Sequence, residues 1–232
     1  MFKLIKLEIK KYKLFNYWKG VLLANIGFIA CLFMIYTLEK LDENIPFEDF
    51  EMVTLIISST IRATFVIFAS VLIVKLVIDE YRNKSINIMF TYPIKRKKIM
   101  LSKLTIIVTF TFLTVMLSTV FMNGLVYVLD LFFDLIPGEI KIEALTKSIV
   151  TAFFHSLATA GLSLIPLLFG MPRKSAPATI VSSIFLVSLT SSTSDNFTLF
   201  SVIAVPISLG LLGLIIGYLS IRNIEEIDVK VS

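Results

Sequence analysis

The chain has 232 residues, 56% of them hydrophobic and only 17% charged, with a formal net charge of +5 and a mean hydropathy of +0.89. A soluble domain of this length needs far more polar surface to cover itself. The single Cys31 and single His155 exclude a disulfide framework and a cysteine or multi-histidine metal site within one chain.

The apolar residues lie in long runs with few charges rather than at a helix or strand period, which is the pattern of membrane-spanning helices. The first element precedes these runs. Lys3, Lys6, Lys10 and Lys13 recur at intervals of three and four and make one basic stripe on a helix. Phe2, Ile5, Ile9 and Tyr12 lie beside it, and Leu4, Leu7 and Leu14 occupy the other flank. Residues 1–19 are therefore predicted to form an amphipathic helix in the membrane interface. Tyr17 and Trp18 stand where an aromatic belt marks the start of the first span. Anchoring alone explains such a helix; an elbow beside a cytoplasmic partner is the sharper reading. The start is basic for too long to be a cleavable signal peptide, so the run after it is expected to be retained.

Six apolar segments follow, at about 20–38, 52–78, 104–129, 145–169, 176–194 and 198–219. The second exceeds the roughly 20 residues a bilayer requires, so it is expected to tilt or to begin outside the hydrocarbon. A polar stretch from Ser191 to Asn196 separates the last two as a tight external turn. Lys and Arg crowd one set of connections: Lys3 to Lys19, Arg82 to Lys103, Arg173 and Lys174, then Arg222 and Lys230. The alternate loops carry Lys40, Lys141 and Lys147 against many acids, among them Asp42, Glu43, Glu48, Asp130 and Glu139. The positive-inside rule then places both termini in the cytoplasm and requires an even number of spans. The expected fold is all-α: one polytopic membrane domain over 1–232, six transmembrane helices and an interfacial N-terminal helix, multi-pass in the cell membrane.

Charges inside spans are costly and call for a functional hypothesis. Arg62, between Thr60 and Thr64, is a candidate for the translocation path or else snorkels to the outer surface. His155 lines a path or packs as a hydrogen-bonded core residue. Lys75 is expected to snorkel at the cytoplasmic end. Asn25, Thr179, Ser182, Ser183 and Ser188 are expected to bond between helices. Gly210, Gly213 and Gly217 offer one side of the sixth helix for close packing within the subunit, and Gly161 with Pro166 should bend the fourth.

The most informative stretch is the cytoplasmic loop 79–103. Charge alone would make it an ordinary positive-inside loop. Pro93 cannot continue a helix and pushes Tyr92 toward extended backbone, so two short helical pieces with a bend are expected. The residue order adds more: Glu80 ends the second span, then come Pro93, a basic group containing Arg96, the aliphatic Ile99, and Lys103 at the next span. This resembles the ABC-2 type permease family, whose members often show a Glu, a Gly-Thr, a Pro with a nearby Arg, then an aliphatic residue and Lys. Lys84-Ser85 stands where the family often has Gly-Thr, a departure in the local backbone signal. Gly170 to Ala176 looks like the family's second short cytoplasmic turn.

The resemblance implies that the loop couples to a separate ATP-binding subunit through Glu80, Pro93, Ile94, Lys95, Arg96, Ile99 and Lys103. It also implies a second permease subunit, identical or similar, and ATP with Mg on the partner ATPase. This chain carries no Gly-rich loop ending in Gly-Lys-Ser/Thr, so hydrolysis is expected elsewhere. Members of this size commonly handle amphipathic or antimicrobial peptides, so peptide export is the implied role, with other hydrophobic substrates open. Membrane lipids are expected partners; nucleic acid is not. An ion-coupled secondary transporter or a scaffold is the alternative, although no span carries a relay of carboxylates. A membrane enzyme would need clustered acids, histidines or a nucleophile that the sequence lacks.

Overall fold

The structure, a computed structural model, describes residues 2–41, 50–82, 96–133, 136, 142–191, 193–194, 197–198 and 204–222. Among these, the secondary structure is helical except for two paired two-residue strands. Helix α1 (Phe2–Lys11) ends at Lys13, whose φ of 49° is left-handed and turns the chain sharply. A lysine there costs about 1–2 kcal/mol relative to ordinary helical backbone. A 3-10 turn (Leu14–Asn16) then leads into α2 (Tyr17–Leu41). The interfacial segment is thus a ten-residue helix and an elbow, shorter than the expected 1–19.

Helix α3 (Phe50–Ile73) continues through a π turn (Val74–Ile78) into the short α4 (Asp79–Arg82). Helix α5 (Arg96–Phe133) is unbroken over 38 residues. The basic residues from Arg96 to Lys103, expected in a short helical piece of the cytoplasmic loop, are its first two turns. Helix α6 (Ile142–Leu162) stops at a turn through Ser163, Leu164 and Ile165, and α7 (Pro166–Arg173) resumes beyond it. This is the break foreseen from Gly161 and Pro166, because a proline has no N–H for the preceding turn.

A left-handed Lys174 (φ 46°) reverses the chain, and Ser175 caps α8 (Ala176–Thr190) by accepting from Ala178 N at 3.4 Å. Gly170 is needed at this reversal, since a Cβ there would lie 2.0 Å from Thr179 Oγ1. The short strands β1 (Thr193–Ser194) and β2 (Phe197–Thr198) pair antiparallel, and α9 (Ala204–Arg222) follows.

Among the described residues, four helical stretches are long and apolar enough to cross a bilayer: Leu14–Leu38, Phe50–Arg82, Lys97–Phe132 and Thr146–Arg173. Helices α8 and α9 are apolar but shorter than the expected spans: α8 ends at Thr190 and α9 begins at Ala204. The protein is a polytopic helical membrane protein.

Two apolar clusters organise the packing. One, at the α4 end, joins Leu72, Ile73 and Leu76 to Met100, Leu104, Ile107, Leu164 and Leu167, with Ile5, Ile9 and Tyr12 of the elbow against it. The other joins Val21 and Phe28 to Ile57, Ile61, Phe65, Val115 and Met122. Aromatic rings bridge them: Phe68 stacks on Phe110 at 5.9 Å, with Tyr17 edge-on to Phe68 and Trp18 edge-on to Phe110. Asn25 donates to Ser118 Oγ at 2.9 Å and Ser183 to Ser70 Oγ at 3.0 Å, each across a helix pair. Thr179, Ser182 and Ser188 instead bond to carbonyls of their own turn.

Candidate functional site

Four charged side chains and a phenol converge where α1, α4 and α5 meet. Lys103 is 1% exposed and Glu80 and Glu8 5% each, so all three are removed from water. An ammonium has three N–H groups to satisfy, and Lys103 Nζ faces three oxygens: Glu80 Oε2 at 2.6 Å, Leu76 O at 2.7 Å and Glu8 Oε2 at 3.5 Å. The carbonyl it takes lies in the π turn, where the regular helical ladder is interrupted; such turns recur at functional sites.

The other oxygen of Glu80 accepts from Lys11 Nζ at 2.6 Å and from the Tyr12 hydroxyl. Burial first, and then the carboxylate of Glu80, push the Tyr12 phenol well above its ordinary value, so it stays protonated and donates. Lys103 and Lys11 also lie 5.3 Å and 5.0 Å from the centre of the Tyr12 ring. Two carboxylates meet two ammonium groups, and the cluster is balanced in charge.

Of the residues expected to couple to a partner, Glu80 and Lys103 are therefore in direct contact. Ile99 is buried, at 3% exposure, so it packs inside rather than facing a partner. Arg96 begins α5, but its side chain, like Pro93, Ile94 and Lys95, lies outside the described residues, as does the bend expected at Pro93. Arg82, Lys97 and Lys98 are exposed beside the cluster, and Arg82 pairs with Asp79 at 2.9 Å.

Sequence reasoning passed over Glu8, Lys11 and Tyr12 as a group. The available signal was Glu8, which at 100° per residue lies about 160° from the nearest lysines of the stripe. An acid directly opposite a basic face marks the side that turns inward toward a buried cation.

Midway along α3, Arg62 is 4% exposed and does not snorkel to the surface. Its guanidinium makes a long bond, 3.4 Å, to Thr190 O, the last residue of α8. A cation at a helix C-terminus is favourable, and this contact stands where α8 stops short. Arg62 and His155 line one cavity of about 330 Å³ between α3, α5 and α6, with Thr54, Ser58, Thr119 and Ser148. Lys75 is exposed at the opposite end, 5.9 Å over the Tyr17 ring.

Comparison with known proteins places this geometry. Residues 4–191 match the family described as ABC-2 family transporter protein. The chain belongs to the ABC-2 transporter family. It is 42% identical over 225 residues to YcbO, an uncharacterised protein of Bacillus subtilis (strain 168), covering 97% of this chain and 99% of that one. No solved structure matches it.

As an ABC-2 protein the chain is the membrane component of an ABC transporter, and membership implies an ATP-binding subunit as partner. The matched span includes α1, α3, α4 and α5, so all five residues of the buried cluster lie within the ABC-2 region.

Proposed function

We propose that this chain is the permease of an ABC exporter, with six spans, both termini in the cytoplasm, and a separate ATPase that binds and hydrolyses Mg-ATP. The observation that carries the reading is the buried contact of Glu80 and Lys103 with Glu8, bordered by exposed Lys11 and half-buried Tyr12. It ties the elbow helix, the end of α3 and the start of α5 into one unit. A push on the 83–95 loop is then delivered to two spanning helices and to the elbow together, because its flanking helices share one desolvated ion pair. Exposed Arg82, Lys97 and Lys98 offer the contact surface, while Ile99 and Lys103 position it from inside.

A second permease, identical or similar, suits α2, whose Leu22, Ile26 and Phe33 stand 64%, 65% and 68% exposed along one face. The cargo class is amphipathic or antimicrobial peptides or other hydrophobic substrates, taken from the membrane or the cytoplasmic side.

The test is co-reconstitution with the ATPase subunit and the double variant Lys97→Glu/Lys98→Glu, whose positions are exposed and whose exchange leaves the buried cluster whole. Transport should fall about tenfold or more, a coupling loss of about 1.4 kcal/mol or more, while ATP hydrolysis continues. Unchanged transport, or transport by the chain alone on an ion gradient, overturns the assignment.

A further inference from the structure

The cavity between α3, α5 and α6 is lined mainly by apolar surface, with a few polar side chains set into it. Thr54, Ser58, Thr119, Ser148 and Thr151 place hydroxyls on its wall beside Arg62. Its lining carries two cations, Arg62 and Lys147, against one acid, Glu51. Lys147 and Glu51 pair with each other at 2.8 Å on the rim, where their side chains are 70% and 73% exposed. The sign of the interior is therefore set by Arg62, which is 4% exposed. A guanidinium presents five N–H groups in a planar fork, so one cation can cap α8 and still face an oxyanion.

Thr54 Oγ1 is enclosed at this wall and has no hydrogen-bond partner among the described residues. Enclosed hydroxyls are almost always partnered, so a small opening of the wall would let this one donate to a ligand oxygen. The wall is also open on an apolar side: Leu55, which lines the cavity, is 43% exposed, and Met52 one turn away is 44% exposed. An amphiphile could lay its chain there with its polar end inside. At about 330 Å³ the space lies at the small end of ligand sites, the scale of a headgroup rather than of a folded peptide.

We propose that this cavity binds the oxyanion headgroup of an anionic amphiphile, with Arg62 as anchor and Thr54 as a neutral donor. Its placement in the outer leaflet rests on the exporter reading, in which α3 begins outside. The binding itself is measured without the ATPase, so loss of coupling and loss of the site are separate results.

The full-length chain would be purified and its lipid retention followed by native mass spectrometry with phosphatidylglycerol, phosphatidylcholine and inorganic phosphate as probes. The expected result is one phosphatidylglycerol per chain, held about tenfold more tightly than phosphatidylcholine. Arg62→Gln should lower that affinity about tenfold, and Arg62→Lys, which keeps the charge but loses the fork, should lower it less. Thr54→Val should weaken binding, and Thr151→Phe, which fills the cavity, should abolish it; both leave the α8 contact of Arg62 in place. Displacement of the lipid by inorganic phosphate would assign recognition to the oxyanion itself, and failure to displace it would assign the intact lipid. Equal retention of the two lipids overturns the proposal. So does unchanged binding in both Thr54→Val and Thr151→Phe, since Arg62 would then serve α8 alone.

Discussion

The charge on Lys103 is sustainable in a 1% exposed position only because Glu80, Glu8 and the Leu76 carbonyl surround it. Removing one member of a buried pair strands the other and costs about 3–5 kcal/mol, whereas replacing both with apolar groups can be nearly neutral. Lys103→Met should therefore destabilise more than Glu80→Gln, because it strands Glu8 and leaves Glu80 with Lys11 and Tyr12, while Glu80→Gln leaves Lys103 with Glu8. The double variant should be less harmful than the sum of the two, as a double-mutant cycle of thermal unfolding in detergent would show. Additive losses would mean that the contact carries no coupling energy. Glu80 and Lys103 could be singled out from sequence because their order around Pro93 has a family pattern. Glu8 is marked only by its place opposite the lysine stripe, and Tyr12 by nothing local, because their partners lie 95 and 68 positions away.

Among the elements, α6 and α9 show how far a helix pattern can be read without its partner. The spacing of Gly210, Gly213 and Gly217 declares a face of close approach, but it does not say against what. The structure supplies the answer: a Cβ on Gly213 would lie 2.0 Å from Gly161 O, and one on Gly210 would lie 2.9 Å from Ala158 Cα. Backbone meets backbone there, so no rotamer change can relieve an added methyl. Gly213→Ala should force α9 away from α6 and lower the unfolding temperature in detergent. Gly27 is the contrast, with nothing within 4 Å of a Cβ; Gly27→Ala should stabilise by about 0.5–1 kcal/mol through helix propensity alone. If the two substitutions have the same effect, the close packing of α6 on α9 is not what holds the pair. The end of α8 was read less well. The polar stretch from Ser191 to Asn196 signals a turn but not the residue at which the helix stops, and the contact of Thr190 O with Arg62 is a tertiary event. Propensity carries no information about it.

At the scale of the whole molecule, composition and loop charge dictate more than any motif does. Length and hydropathy identify helices that must satisfy their own backbone in lipid, and the Lys and Arg bias over the short loops predicts an orientation for the chain. The orientation has a direct consequence for labelling. With Cys31 replaced by Ser, a cysteine at Lys13 or Lys174, both exposed, should react with a membrane-impermeant maleimide only in inverted vesicles. A cysteine at Glu139, in an acid-rich loop, should react in intact cells. Lys13 and Lys174 are also the two left-handed non-glycine turns of the described chain, one at the elbow and one between α7 and α8. Both reversals would then face the same compartment as the buried cluster, on the side from which an ATPase must push. If Lys174→Cys instead reacts from outside while Lys13→Cys does not, an odd number of spans separates them, and the α7–α8 turn cannot be a second cytoplasmic contact.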